Sequence, residues 1–123
     1  MENRMTIEKY IQNQAISGIE DNCLKSTQDF LKLLSSKWTI NILYVLNKKS
    51  IKRFGELKKS LNGVSQKVLT ANLRSLEEKG IIEREVFPEV PPRVEYRLTD
   101  LGKTLDPIIK SMHDWGEFYK SIF

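Results

Sequence analysis

The sequence predicts a mainly α fold with one small β-hairpin, on three observations. Residues 65–79 are amphipathic with well-punctuated ends. At about 100° per residue, Val68, Leu69, Leu73 and Leu76 gather on one side with Ser65 and Asn72 between them, while Lys67, Thr70, Ala71 and Arg74 fall opposite. Ser65 suits an N-cap and Gly80 a C-cap. Directly after Gly80, Ile81–Phe87 and Arg93–Leu98 alternate apolar and charged residues as half-buried strands do, and Pro88, Pro91 and Pro92 stiffen the loop between them. Upstream, Phe54–Leu61 reads as a short helix closed by the Asn62-Gly63 turn, which completes a helix-turn-helix pair. Helix-turn-helix followed at once by a hairpin is the order of a winged helix-turn-helix, whose second helix reads DNA.

Each remaining element has its own signal. In residues 1–22, Ile7, Tyr10, Ile11, Ala15 and Ile19 recur at helical spacing and Ser17-Gly18 interrupts them, so a short helical extension that packs on a partner subunit is expected. Ser26-Thr27-Gln28-Asp29 resembles a capping box, which places a helix start near Ser26 ahead of Phe30, Leu33 and Leu34. Ser36-Lys37-Trp38-Thr39 leads into Ile40, Ile42, Leu43, Val45 and Leu46, apolar enough for the buried central helix, with Asn47–Ser50 as its polar exit. Near the C-terminus, Leu101, Leu105, Ile108, Met112, Trp115, Tyr119 and Ile122 are spaced 4, 3, 4, 3, 4 and 3 residues apart. That narrow seam of period 3.5 suits a partner helix and marks a dimerisation element. Thr99 can cap its start; Pro107 sits at N1 if Asp106 is the cap and otherwise kinks a longer helix. The expected organisation is an N-terminal extension at 1–22, the winged domain at 23–98 and a dimerisation helix at 99–123.

Composition narrows the partner. The chain of 123 residues carries a net charge of +4, and residues 51–97 hold ten Lys/Arg against seven Asp/Glu. That modest excess predicts salt-sensitive binding to double-stranded DNA through a few placed cations. No apolar run approaches membrane-spanning length, Met-Glu-Asn-Arg-Met lacks a signal-peptide core, and one cysteine excludes an intrachain disulfide, so the cytoplasm is the expected compartment. His113 is the single histidine, and no metal-ligand cluster, phosphate-cradling glycine loop or nucleophile elbow is present. Neither an enzyme nor a bound cofactor or metal is expected. Arg93 stands near the tip of the wing, within reach of a phosphate or a minor groove.

The sequence resembles the HxlR-type winged helix-turn-helix regulators of bacteria, relatives of the MarR group. The resemblance covers about Cys23 to Gly116. It rests on Lys37-Trp38, Arg53-Phe54-Gly55-Glu56-Leu57, Ser65-Gln66-Lys67-Val68-Leu69-Thr70, Leu73, Leu76-Glu77, Gly80, Leu98-Thr99-Asp100-Leu101-Gly102 and, most specifically, the wing Pro88-Glu89-Val90-Pro91-Pro92-Arg93-Val94-Glu95-Tyr96. It implies a homodimeric, sequence-specific transcription factor on a roughly palindromic operator, acting as repressor or activator. By position it implies groove-facing roles for Ser65, Gln66, Lys67, Thr70 and Arg74, and DNA-backbone contacts for Arg53 and Lys37; Lys37 could equally snorkel beside Trp38. Some members sense electrophiles or oxidants through a cysteine that stands where Cys23 stands. Placement just before a helix cap and beside Lys25 would favour its thiolate. This chain departs from the family in having Leu24 after the cysteine instead of proline, and Ser35-Ser36 in place of glycines. Two alternatives stay open at this stage. A small-molecule inducer could replace the thiol switch, in a pocket that Trp38, Trp115, Phe118 and Tyr119 could line. The winged helix could also serve as a protein-docking module.

Overall fold

The structure, a computed structural model, describes residues 6–9, 21–48 and 51–123. Helix α1 spans Asp21–Leu33 and α2 spans Lys37–Lys48, and strand β1 (Lys52–Arg53) runs straight into α3 (Phe54–Ser60). Then come α4 (Gln66–Glu78), β2 (Ile82–Phe87), β3 (Arg93–Leu98), α5 (Asp100–Lys103) and α6 (Asp106–Ile122). Helices α3 and α4 form the helix-turn-helix and β2–β3 the wing, so the fold is the winged helix-turn-helix that the sequence predicts.

One apolar core joins these elements. Helix α2 supplies Ile42, Leu43 and Leu46, α3 Leu57, α4 Leu69, Leu73 and Leu76, and the strands Ile82, Tyr96 and Leu98. Each fully buried leucine contributes about 1.5–3 kcal/mol over an exposed one. Thr39 is the buried polar residue in this core. Its hydroxyl donates to Asn72 Oδ1 at 3.5 Å, and Asn72 Nδ2 donates to the Val68 carbonyl at 2.9 Å, so Asn72 faces inward. The wing follows period two. Ile82, Tyr96 and Leu98 of one face are buried, while Glu83, Glu85, Glu95 and Arg97 share the other.

Several expectations are corrected. The helix predicted from Ser26 already covers Asp21–Leu33 among the described residues, so Ser26 is an interior residue and Cys23 lies within α1. The Ser26-Thr27-Gln28-Asp29 tetrad mimics a cap locally, but it lies inside a helix already under way. Val68 is 39% exposed: it stands about 100° from the line through Leu69, Leu73 and Leu76, at the edge of the stripe. Strand β1 was not predicted, because two consecutive basic residues show no alternation; it exists by pairing with β3, Lys52 opposite Tyr96 and Arg53 opposite Glu95. The C-terminal seam is broken, with α5 ending at Lys103 and α6 starting at Asp106 behind Leu105, which leaves Pro107 within the first turn. Of the N-terminal extension, residues 7–9 are helical; Tyr10, Ile11, Ala15 and Ile19 lie outside the described residues.

The junction below the wing is the tightest part of the fold. Gly80 ends α4 with φ +74°, a conformation that residues with a Cβ rarely adopt. The Thr99 hydroxyl donates to the Gly80 carbonyl at 2.5 Å and accepts from the Gly102 N–H at 3.0 Å, while the Thr99 N–H reaches the Ile81 carbonyl at 3.0 Å. A Cβ on Gly102 would collide with that same Ile81 carbonyl. Gly102→Ala is therefore expected to cost roughly 2 kcal/mol or more by forcing backbone apart. A urea melt checks this, and a midpoint equal to the parent's would refute the close approach.

Candidate nucleic-acid interface

The outer side of α4 is a shallow open depression lined by Gln66, Lys67, Thr70, Ala71 and Arg74. It is built from the inner side: with Leu69, Leu73 and Leu76 fixed in the core, these residues must face solvent. Ser65 opens the helix in extended conformation, and its Oγ accepts the Val68 N–H at 3.1 Å. The positive end of the helix dipole and the Gln66 side chain thus sit at the same end of the depression. Among the described residues, neither Lys67 nor Arg74 makes an ion pair.

The other predicted contacts are placed as follows. Arg53 caps α3, its backbone N–H donating to Glu56 Oε1 at 2.9 Å while its side chain stays exposed. Lys37 is exposed at the start of α2 with Nζ 4.9 Å from the Trp38 ring centroid, a cation–π contact, and Trp38 packs against the core. Arg93 is not a free cation. It pairs with Glu89 at 3.0 Å and lies 3.2 Å from Glu95, and its guanidinium sits 4.0 Å above the ring of Phe87, its direct cross-strand neighbour. Among the described residues, Lys58 and Lys59 on α3 are two further exposed cations without an ion pair, which motif reading omitted. Their position beside buried Leu57 in a short helix was the available signal.

Charge is therefore sorted by element. The wing arginines are all engaged: Arg84 with Glu77 of α4 at 3.6 Å, Arg97 with Glu83 at 2.8 Å and Glu85 at 2.9 Å, and Arg93 as above. Hydrogen bonds that Arg97 donates to Glu83 and Glu85 hold its guanidinium pKa above its usual value. Glu85 directly opposes Glu95, a repulsive pairing that Arg97 and Arg93 relieve from either side. Exposed pairs of this kind add little stability, but they do consume the wing's positive charge. Among the described residues, Lys58, Lys59, Lys67 and Arg74 of the helix-turn-helix make no ion pair.

The HxlR-like helix-turn-helix family matches residues 33–122. The chain belongs to that family. It is a transcriptional regulator with a helix-turn-helix DNA-binding domain. The regulator is 48% identical over 90 residues to the HTH-type transcriptional regulator YdeP of Bacillus subtilis (strain 168), covering 73% of this chain and 70% of YdeP. Among solved structures it resembles a MarR-family regulator from Porphyromonas gingivalis W83, with a TM-score of 0.71 and 37% identity over 83% of this chain and 97% of that one. It also resembles the redox regulator HypR in its reduced form, with a TM-score of 0.74 and 38% identity over 79% of this chain and 95% of that one. The family match begins ten residues after Cys23. Among the described residues no helix is long and apolar enough to cross a membrane, and no three His, Cys, Asp or Glu side chains group to hold a metal ion.

Behind the interface, Tyr96 is buried between α4 and the wing. Burial pushes its phenol above the usual range, Arg84 and Arg74 opposing and Glu77 reinforcing. A folded pKa raised above the unfolded value of about 10 leaves this contribution to stability intact below that pH and removes it as pH climbs through the folded pKa. Tyr96→Phe should accordingly lose less stability than the parent above about pH 10, measured by denaturant melts across that range. Parallel losses in the two proteins would rule out the phenol as the titrating group.

Proposed function

We propose that the regulator binds a pseudo-palindromic operator as a homodimer, each α4 entering a major groove about one helical turn from its mate. The observation that carries this reading is the exposed face of α4, whose Lys67 and Arg74 make no ion pair among the described residues. Gln66, beside the Ser65 cap, is placed for a base edge; Lys67, Thr70 and Arg74 serve bases or phosphates; Arg53, Lys58, Lys59 and Lys37 serve the DNA backbone. With its guanidinium held by Glu89, Glu95 and Phe87, Arg93 shapes the wing tip before it touches any phosphate. No step of this function is catalytic.

Helix α6 supports the dimer. None of its 17 residues is buried. Ile108, Met112, Trp115, Tyr119 and Ile122 are each 42–50% exposed along one side, with the Trp115 and Tyr119 rings stacked at 5.3 Å. A helix of this length has little stability of its own in water, and such a stripe is buried by a second copy. Leu101 is exposed on α5, whereas Leu105 packs into the core of its own chain.

For the signal, we propose thiol control at Cys23, within α1. Likeness to a protein described as a redox regulator supports it. As the lone cysteine it can join only a partner: two Cys23 thiols, one per subunit, would yield two electrons and two protons to an oxidant and form an intersubunit disulfide, or one would form a mixed disulfide with a small thiol. The second reading, control by a small ligand, is favoured by a cavity between α2 and α6. Trp38, Trp115, Phe118 and Tyr119 do not line it.

A gel shift against DNA upstream of the regulator's own gene, at two salt concentrations, tests the operator reading. Arg74→Ala should weaken specific binding about tenfold while sedimentation and melting stay at parental values. An undiminished shift would take Arg74 out of the interface. Trp115→Glu should sediment as a monomer and lose cooperative binding; a persisting dimer would move the interface off α6. With diamide, the parent's shift should disappear and return on adding thiol, whereas Cys23→Ser should not respond. An identical diamide response in Cys23→Ser would dispose of thiol control.

A further inference from the structure

A carboxylate is out of place on a surface that meets phosphates, and the outward side of α4 carries one. Taking Gln66 as zero and about 100° per residue, Thr70 falls near about 40°, Arg74 near about 80° and Lys67 near about 100°. Glu77, in the last turn, falls near about 20°, inside the same arc. Its partner comes from the wing. Arg84 Nε lies 3.6 Å from Glu77 Oε2, and both side chains are open to water, 48% and 36% exposed.

Arg84 differs from the other wing arginines in direction and in hold. The register sets Arg84 opposite the buried Tyr96 and Arg97 opposite Glu83. Arg84 therefore stands on the α4 side of the hairpin, whereas Arg93 and Arg97 share the other side. Among the described residues, Arg97 holds two carboxylates at 2.8 and 2.9 Å, and Arg93 two at 3.0 and 3.2 Å. Arg84 holds one, at the longest distance of the five. A single exposed pair of that length is weakly held. Arg74 belongs to the same cluster, because Arg84, Glu77 and Arg74 all act on the Tyr96 phenol. Two guanidiniums thus face one carboxylate in the crevice between α4 and the wing.

Adjacent major and minor grooves are divided by one sugar-phosphate strand. With α4 in the major groove, that strand passes between α4 and the wing, across this crevice. A guanidinium binds a phosphate through two parallel hydrogen bonds, a stronger match than one loose carboxylate contact.

We infer that Arg84 exchanges Glu77 for a DNA phosphate when the regulator binds, so that Glu77 stands in for the phosphate in the free protein and restrains its affinity. The inference rests on the operator reading's placement of α4 in a major groove. The test measures binding of the full-length regulator to a duplex carrying the operator fragment, and to one of unrelated sequence, across a salt series. Glu77→Gln should bind about threefold more tightly than the parent, and Arg84→Ala about tenfold more weakly. The double variant should bind about threefold more weakly than the parent, its log affinity falling less steeply with log salt by about one. All three should melt as the parent does, since the pair is exposed. Unchanged or weaker binding by Glu77→Gln would make the pair a strut between α4 and the wing and overturn the exchange. A double variant equal to the parent in affinity and salt slope would also overturn it, because the pair would then only cancel its own charge. Equal binding of the parent to both duplexes would sink the operator reading alone, since the salt slopes on either duplex still test Arg84. No binding to either duplex would overturn both.

Discussion

Gly102 presses against the carbonyl of Ile81, and that approach sets where three elements go. The recognition helix ends at Gly80, β2 starts at Ile82, and α5 starts at Asp100, so all three meet within a few residues of the contact. Thr99 closes the joint by bonding to Gly80 on one side and Gly102 on the other. The wing therefore leaves the domain at an angle fixed relative to α4. The path toward α6 is fixed by the same three residues. A side chain at position 102 would loosen the wing and α6 together.

The elements that were legible in the sequence are those whose causes are local. Ser65 and Gly80 mark the ends of α4 by capping chemistry that needs no tertiary partner, and the alternation of Ile82–Phe87 and Arg93–Leu98 states which face is buried. Period alone placed Lys67, Thr70 and Arg74 on the outer side. Where the cause is distant, the reading stopped short. Strand β1 exists because β3 offers it an edge, which a Lys-Arg dipeptide does not announce. The engagement of Arg93 depends on a register that sets Phe87 opposite it and Glu95 two residues on. The start of α1 was misjudged because Ser26–Asp29 carries cap chemistry inside a helix already under way at Asp21. The break at residues 104–105 follows from Leu105 turning into the core, a choice made by packing and not by period.

Electrostatics and apolar surface divide the labour. The recognition side of the helix-turn-helix offers unspent positive charge over a rigid apolar base, which suits a polyanion approached from water. Helix α6 offers carbon with its ion pairs, such as Lys110–Asp114, kept to one side, which suits a second copy. Between them, α2 touches both systems, with Thr39 toward α4 and Asn47 toward Asp106. Movement of α6 against the domain has to pass through that helix.

The self-neutralised wing has a consequence for how such a regulator can diverge. Its arginines are balanced by glutamates of the same hairpin, with Arg84 tied to the far end of α4 through Glu77. The outward-facing positions of α4, 66, 67, 70 and 74, take no part in that balance. They can be exchanged without disturbing the hairpin's internal accounts or the core beneath. On the proposed operator reading, DNA preference can therefore drift among descendants through four outward-facing positions while the wing is inherited as a finished part.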